Sequence, residues 1–146
     1  MSIVVRVAEP DEIRPLRLAV LRPDSPPRPP TDYDLDPATV HVGAFDDGTA
    51  VGCASVFPDP YPDEPDAWRL RGMAVDARHQ GLGIGRQVLE RAVAAAETAG
   101  APLVWANGRV TALGFYERLG WVAVGEVFES GPAALPHRVI LLRLGS

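Results

Sequence analysis

The spacing of apolar residues changes period several times along the chain, and each change marks a new element. The β-branched run Ile3, Val4, Val5 and Val7 predicts a short strand, after which Ile13, Leu16, Val20 and Leu21 recur at helical spacing over residues 11–21. Pro15 suits that helix only in its first turn, where the missing N–H has no partner to lose. Residues 23–37 are crowded with Pro and Asp around Pro26-Pro27-Arg28-Pro29-Pro30 and predict a stiff loop with one short helical turn. The PxxP spacing there could suit an SH3-like partner, but a structural or substrate-flanking loop is the simpler reading. Residues 40–45 and 50–57 alternate as strands across the tight-turn sequence Asp46-Asp47-Gly48-Thr49 and predict an antiparallel hairpin.

After a second Pro/Asp loop at residues 58–66, residues 68–75 read as a strand that runs into a glycine-rich stretch. Over residues 86–99, Val88, Leu89, Ala92, Val93 and Ala96 line one helical face, which Gly100 and Pro102 end in the usual order. Strands at residues 103–106, 121–128 and 138–144, and a short helix at 111–119 stopped by Gly120, complete the pattern. This order implies an α/β (α+β) fold, one mixed sheet with helices on its faces, in a single domain over residues 1–146.

With 146 residues, 47% of them hydrophobic, the chain can bury one ordinary core. No apolar run reaches the roughly 20 residues a bilayer crossing needs, and no basic-then-apolar leader is present, so a cytoplasmic protein with no membrane partner is expected. A formal net charge of −5 would repel a polyanion and argues against nucleic acid. All 14 basic residues are Arg, which excludes a lysine Schiff base and a Walker-type phosphate lysine. The lone Cys53 lies in a strand-like segment and reads as a small buried side chain rather than a nucleophile. His41, His79 and His137 share no ligand spacing, so no metal site is expected.

Candidate chemistry concentrates in Arg78-His79-Gln80-Gly81-Leu82-Gly83-Ile84-Gly85-Arg86. A strand entering closely spaced glycines and then a helix offers free N–H groups at the positive end of a helix dipole, and glycine lets a phosphate approach the backbone. The third glycine of a dinucleotide fingerprint is missing, because Gly83-Ile84-Gly85 is followed by Arg86, Gln87 and Val88, and no acid follows at the expected separation. A plain strand-to-helix turn needs only one or two glycines; three of them between two arginines favour a diphosphate cradle.

Two blocks resemble the GNAT superfamily of N-acetyltransferases. Trp68-Arg69-Leu70-Arg71-Gly72-Met73-Ala74-Val75-Asp76, with Arg78 through Gly85, looks like that family's strand, hydrophobic pair and Gln/Arg-x-x-Gly-x-Gly signature. Asn107, then Thr111-Ala112-Leu113-Gly114-Phe115-Tyr116-Glu117-Arg118-Leu119-Gly120-Trp121, is similar to its helix bearing Phe-Tyr and ending Gly-aromatic. The ending Glu126-Val127-Phe128-Glu129, then Pro136-His137, looks like the small ElaA-like branch. The resemblance covers essentially the whole chain, most weakly between residues 23 and 39. It implies a GNAT fold with a mostly antiparallel sheet, acetyl-CoA as acyl donor and an amine acceptor. It also implies that the backbone over Met73, Ala74 and Val75 pairs with the pantetheine arm, and that N–H groups of Gln80, Gly81, Leu82, Gly83, Ile84, Gly85 and Arg86 hold the pyrophosphate. Arg78 and Arg86 would add charge there, unless they only form a solvated face. Asn107 and Phe115 would border the pantetheine where the sheet splays.

An alkyl amine with a pKa of about 10.4 is well under 1% neutral at pH 7, so a proton must leave before attack. In the family the neutral amine attacks the thioester directly, a backbone N–H stabilises the oxyanion, and a tyrosine at the place of Tyr116 donates to the leaving thiolate. Tyr116 is accordingly the expected general acid, with plain ring packing as the alternative. The strand before the glycines lacks the glutamate some members carry there. Glu126, Glu129 and His137 lie on or beside the last hairpin, and His137 leads as base or acceptor contact because its ordinary pKa suits neutral pH. A structural backbone hydrogen bond for His137, or a water relay, is the alternative. Asp59, Asp63, Glu64 and Asp66 would draw a cationic amine if their loop lines the cleft. The acceptor, an amine-bearing small molecule or protein, stays open, as does a homodimer. A non-catalytic acetyl-CoA sensor, or a module for another diphosphate, are the competing functions.

Overall fold

A computed structural model describes residues 2–21, 32–131 and 133–145. In chain order its elements are β1 (Ile3–Ala8), α1 (Pro10–Leu21), α2 (Asp32–Leu35), β2 (Val40–Asp46), β3 (Thr49–Pro58), β4 (Trp68–Val75), α3 (Ile84–Thr98), β5 (Leu103–Arg109), α4 (Leu113–Arg118), β6 (Val122–Ser130) and β7 (Leu135–Arg143). The strands form one sheet in the order β1-β2-β3-β4-β5-β7-β6. Every pair in it is antiparallel except β4–β5. The mixed, mostly antiparallel α/β fold is thus the expected one. The Pro-rich segment through residue 31, with its PxxP reading, lies outside the described residues, and α2 supplies the short helical turn expected near it.

Helices cover the two faces of the sheet. On one, α3 buries Ile84, Val88, Leu89, Ala92 and Ala96 against Val42, Ala54, Val56 and Leu70. On the other, α1 buries Ile13 in a smaller cluster with Phe45, Cys53 and Ala74. The hairpin turn between β2 and β3 places Asp47 and Gly48 at φ 48° and 82°, the pairing that the right-handed twist of two short-linked strands prefers.

Several boundaries differ from expectation. Pro15 sits at the sixth residue of α1, past the first turn, so the Asp11 carbonyl lacks its helical N–H partner. The α3 helix begins at Ile84 rather than Arg86, with Gly83 as a left-handed N-cap. Strand β5 runs to Arg109 because its ladder with β7 continues to Arg109↔His137, a long-range pairing that local periodicity does not encode.

Two irregularities shape the functional face. Strands β4 and β5 pair only at Trp68↔Val104 and Arg69↔Trp105, so the rest of their length splays apart. Between Cys53↔Ala74 and Ser55↔Arg71, β4 carries one residue more than β3, and this bulge contains Gly72 at φ 68°. A side-chain carbon at Gly72 would also lie 2.7 Å from Cδ of Arg17. Arg17 is buried, and its Nη2 meets both carboxylate oxygens of buried Asp34 at 2.8 and 2.9 Å, which ties α1 to α2.

Candidate active site

The splay opens a cleft of about 1040 Å³ whose lining runs from the glycine loop, past β4 and β5, to the β6–β7 turn. Met73, Ala74, Val75, Gln80, Gly81, Gly83, Ile84, Gly85, Arg86, Asn107, Phe115, Tyr116 and His137 all line it, so residues far apart in sequence converge there. Arg78, Leu82 and Glu129 are not part of the lining. The Arg78 side chain is 85% exposed and pairs with Asp76, while Leu82 and Glu129 face solvent.

In the loop, Gly81 and Gly83 hold φ of 82° and 77°, and nothing lies within 4 Å of where their side chains would begin. The glycines there serve backbone conformation and access rather than internal packing. Beyond Gly83 the first turn of α3 carries N–H groups without intrahelical partners, beside a concave surface suited to a diphosphate. Gly85 brings the Met73, Val75 and Phe115 side chains together around it, at 3.4 to 3.5 Å from the position of an added carbon. Arg86 pairs with Glu90 one turn on, so its charge is shared. The loop is fastened from behind: His79 meets Asp76 at 3.3 Å and Asp46 at 3.2 Å, a tie to the β2–β3 hairpin that spacing alone did not reveal. The Arg78 N–H donates to the Asp76 carboxylate, which holds its pKa below the ordinary value.

Tyr116 packs edge-on against Phe115 and Trp121, at centroid distances of 5.2 and 5.6 Å. Burial pushes its phenol up to about 12, against the opposing pull of the Arg109 charge. Its hydroxyl forms no hydrogen bond with another described residue, although the ring lines the cleft. His137 stands across the ladder from Arg109. Because Nδ1 lies 2.7 Å from the Leu135 carbonyl, which can only accept, Nδ1 carries the proton and a neutral ring keeps its lone pair at Nε2. The bulge in β6 between Val124↔Val139 and Phe128↔His137 stacks Phe128 on this imidazole at 6.1 Å.

The acidic loop at residues 58–66 does not line the cleft. Asp59 instead pairs with Arg69 at 3.5 Å and Glu64 with Arg143 at 2.8 Å, so the expected attraction for a cationic amine has no support in the geometry. Sequence reasoning missed Arg69, Arg71 and Arg109 as lining residues, as well as Val20 and Leu21 at the end of α1. The signal available was two arginines flanking Leu70 in a central strand, where charge is rare. Among the described residues no three His, Cys, Asp or Glu side chains come together as metal ligands, and no helix is long and apolar enough to cross a membrane.

The sheet split leaves a cleft between two strands, beside a glycine loop and a helix N-terminus. The chain belongs to the acetyltransferase (GNAT) family, whose model matches residues 9–121. It is 36% identical over 91 residues to the uncharacterized N-acetyltransferase YitI of Bacillus subtilis (strain 168), a match covering 61% of each chain. Its fold is similar to that of Escherichia coli ElaA, with a TM-score of 0.78 at 17% identity over 96% of this chain and 99% of that one. A similar likeness, TM-score 0.74 at 15% identity over 96% of each chain, relates it to an aminoglycoside 6'-N-acetyltransferase crystallised with coenzyme A.

Proposed function

We propose that the chain acts as a single-domain, cytoplasmic, acetyl-CoA-dependent N-acetyltransferase, moving an acetyl group to a primary amine by direct attack in a ternary complex. The observation that carries this reading is the continuous cleft that joins the glycine loop, the β4–β5 split, Tyr116 and His137. The loop from Gln80 to Arg86 would hold the pyrophosphate, the backbone of Met73 and Val75 would pair with the pantetheine, and Asn107 and Phe115 would border it. The family membership and the fold neighbour with coenzyme A support the donor. Bound there, the thioester supplies an activated acyl group; the protein's part is to orient it, exclude water and manage two protons.

Nε2 of His137 is the group suited to take the proton from the amine, since Nδ1 is committed to Leu135. Tyr116 is suited to the leaving sulfur. With the phenol at about 12 and a thiol near 8.5, full proton transfer is uphill by about 3.5 units, or about 5 kcal/mol. The hydroxyl therefore serves best as a hydrogen-bond donor to the developing thiolate, where partial transfer suffices. Release of free CoA, followed over a panel of amines with calorimetry of acetyl-CoA binding alongside, tests the assignment. Turnover supports it; tight acetyl-CoA binding with no turnover on a broad panel would favour a sensor instead.

A further inference from the structure

The cleft lining contains no Asp or Glu among the described residues, on a chain whose formal net charge is −5. Five arginines among the described residues line it, and they fall into two groups. Arg86 and Arg118 belong to α3 and α4, beside the proposed donor site. Arg69 and Arg71 lie in the first half of β4, and Arg109 ends the parallel strand β5, four residues beyond Trp105, the partner of Arg69. Arg71 lies four residues before Val75, about 13 Å along an extended strand. The bulge at Gly72 turns Arg71 towards α2, where its guanidinium carbon sits 5.0 Å from the centre of the Tyr33 ring. Arg109 donates to the Leu21 carbonyl at the end of α1 and lies close enough to Tyr116 for its charge to act on the phenol.

These three arginines differ in their compensation. Arg69 shares its charge with Asp59 at 3.5 Å and stacks over Trp105 at 4.5 Å. Among the described residues Arg71, which is exposed, and Arg109 have no carboxylate partner, and Arg71 bears on Arg69 as a like charge. Two such guanidiniums at the proposed acceptor end of a cleft with no described carboxylate in its lining repel a polycationic amine and favour an oxyanion, which a planar guanidinium recognises through paired N–H donors.

We propose that the acceptor is an amine that also carries an oxyanion, a carboxylate or a phosphate, and that Arg71 and Arg109 hold that group while the amine faces Tyr116 and His137. This rests on the acetyltransferase reading and narrows its substrate class. Arg71 and Arg109 are then specificity-determining residues, separate from the groups that move protons.

The test compares matched amines by CoA release: β-alanine with its amide, O-phosphoethanolamine with ethanolamine, and putrescine as a dication. An anionic member is expected to exceed its neutral partner in kcat/KM by about 10- to 100-fold, the scale of one charged hydrogen-bonded contact. The carboxylate and phosphate arms show which oxyanion is used. Arg71→Ala should raise KM for that acceptor by a similar factor while KM for acetyl-CoA stays put. Arg71→Lys should recover part of the loss, and Arg71→Glu should remove the preference for the anion. Arg91→Ala, on the exposed side of α3, should change nothing. Preference for putrescine or a neutral amine, or an anion preference untouched by Arg71→Glu, overturns the proposal while leaving the acetyltransferase reading intact. If none of these amines turns over, calorimetry of the CoA-saturated protein decides. Binding of N-acetyl-β-alanine or N-acetyl-O-phosphoethanolamine, but not their neutral counterparts, supports it; no binding by any of them overturns it. Failure to bind acetyl-CoA at all would instead sink the underlying reading.

Discussion

The Arg17–Asp34 pair is the contact on which the proposed acceptor end of the cleft depends, because Asp34 fixes α2 and α2 carries the Tyr33 ring beneath Arg71. Its side chains are only 8% and 1% exposed, and Nη1 of Arg17 is buried without a hydrogen-bond partner. Replacing Asp34 by Asn keeps the shape and removes the charge, leaving a guanidinium in the protein interior with no counter-ion. Breaking a buried pair in this way costs about 3–5 kcal/mol, a large share of the roughly 5–15 kcal/mol that holds an ordinary domain together. For a chain of this size that corresponds to a fall in Tm of roughly 6–20 °C, since 1 kcal/mol shifts it by about 2–4 °C. In urea, with a slope near 2 kcal/mol per molar, the midpoint should drop by about 2 M. Glu12→Gln, which breaks the exposed Arg6–Glu12 pair, should have little effect on the same curve. The double change Arg17→Met with Asp34→Leu should regain most of the loss, because it removes both desolvated charges together. If Asp34→Asn proves as mild as Glu12→Gln, the pair is not the buried anchor described here, and the placement of Tyr33 must rest on packing alone.

Three further outcomes follow from the same geometry. Gly83→Val should weaken acetyl-CoA binding by at least about tenfold while circular dichroism stays native, since the N-cap holds φ 77° and a branched residue both strains it and fills the cradle; unchanged affinity in calorimetry would remove the loop assignment. Tyr116→Phe should lower kcat and kcat/KM together by about 10²- to 10⁴-fold with KM for acetyl-CoA nearly constant, and near-normal turnover with chemistry rate-limiting would make the tyrosine structural. Cys53, fully buried and with its thiol pushed up to about 12 by burial, should resist a thiol reagent in the folded protein at pH 8 and react once denaturant is added; rapid labelling without denaturant would contradict the packing of α1 on β3.

Much of the fold was legible because its signals are local. The Asp46-Asp47-Gly48-Thr49 turn, the apolar stripe of α3 and the glycines after β4 each announce themselves within a few residues. The glycine loop was legible for the same reason, since its closely spaced glycines and the helix after them are local features. What stayed hidden depends on contacts between distant segments. The ladder that carries β5 to Arg109 is set by β7, the bulge at Gly72 by the register with β3, and the tie from His79 to Asp46 by the fold as a whole. The buried chain of Arg17, Asp34, His41 and Ser55 was equally invisible, since nothing in a lone His or Ser shows that Nδ1 of His41 will meet Ser55 Oγ at 2.6 Å.

Charge is where this gap bears on function. Counted along the sequence, the acids of residues 59–66 suggest an acidic approach to the site and the net charge agrees. Pairing reverses the local sign: Asp59 is committed to Arg69 and Glu64 to Arg143, neither acid lining the cleft, while Arg71 and Arg109 reach it with no described acid paired to them. A guanidinium stays charged at any pH the protein meets, so Arg71 and Arg109 each favour an anion entering the cleft over a cation. With the donor's phosphates at the glycine loop, as proposed, about 13 Å or more from Arg71, the acceptor would supply that anion. The same arrangement would favour the proposed chemistry, because a positive charge near Tyr116 offsets part of the effect of burial on its phenol. On that reading substrate choice and leaving-group help would be coupled through Arg109, and an acceptor whose oxyanion neutralised that charge completely would weaken the tyrosine as an acid. Arg71, placed farther along the strand, is the better seat for the oxyanion, with Arg109 shared between acceptor and tyrosine.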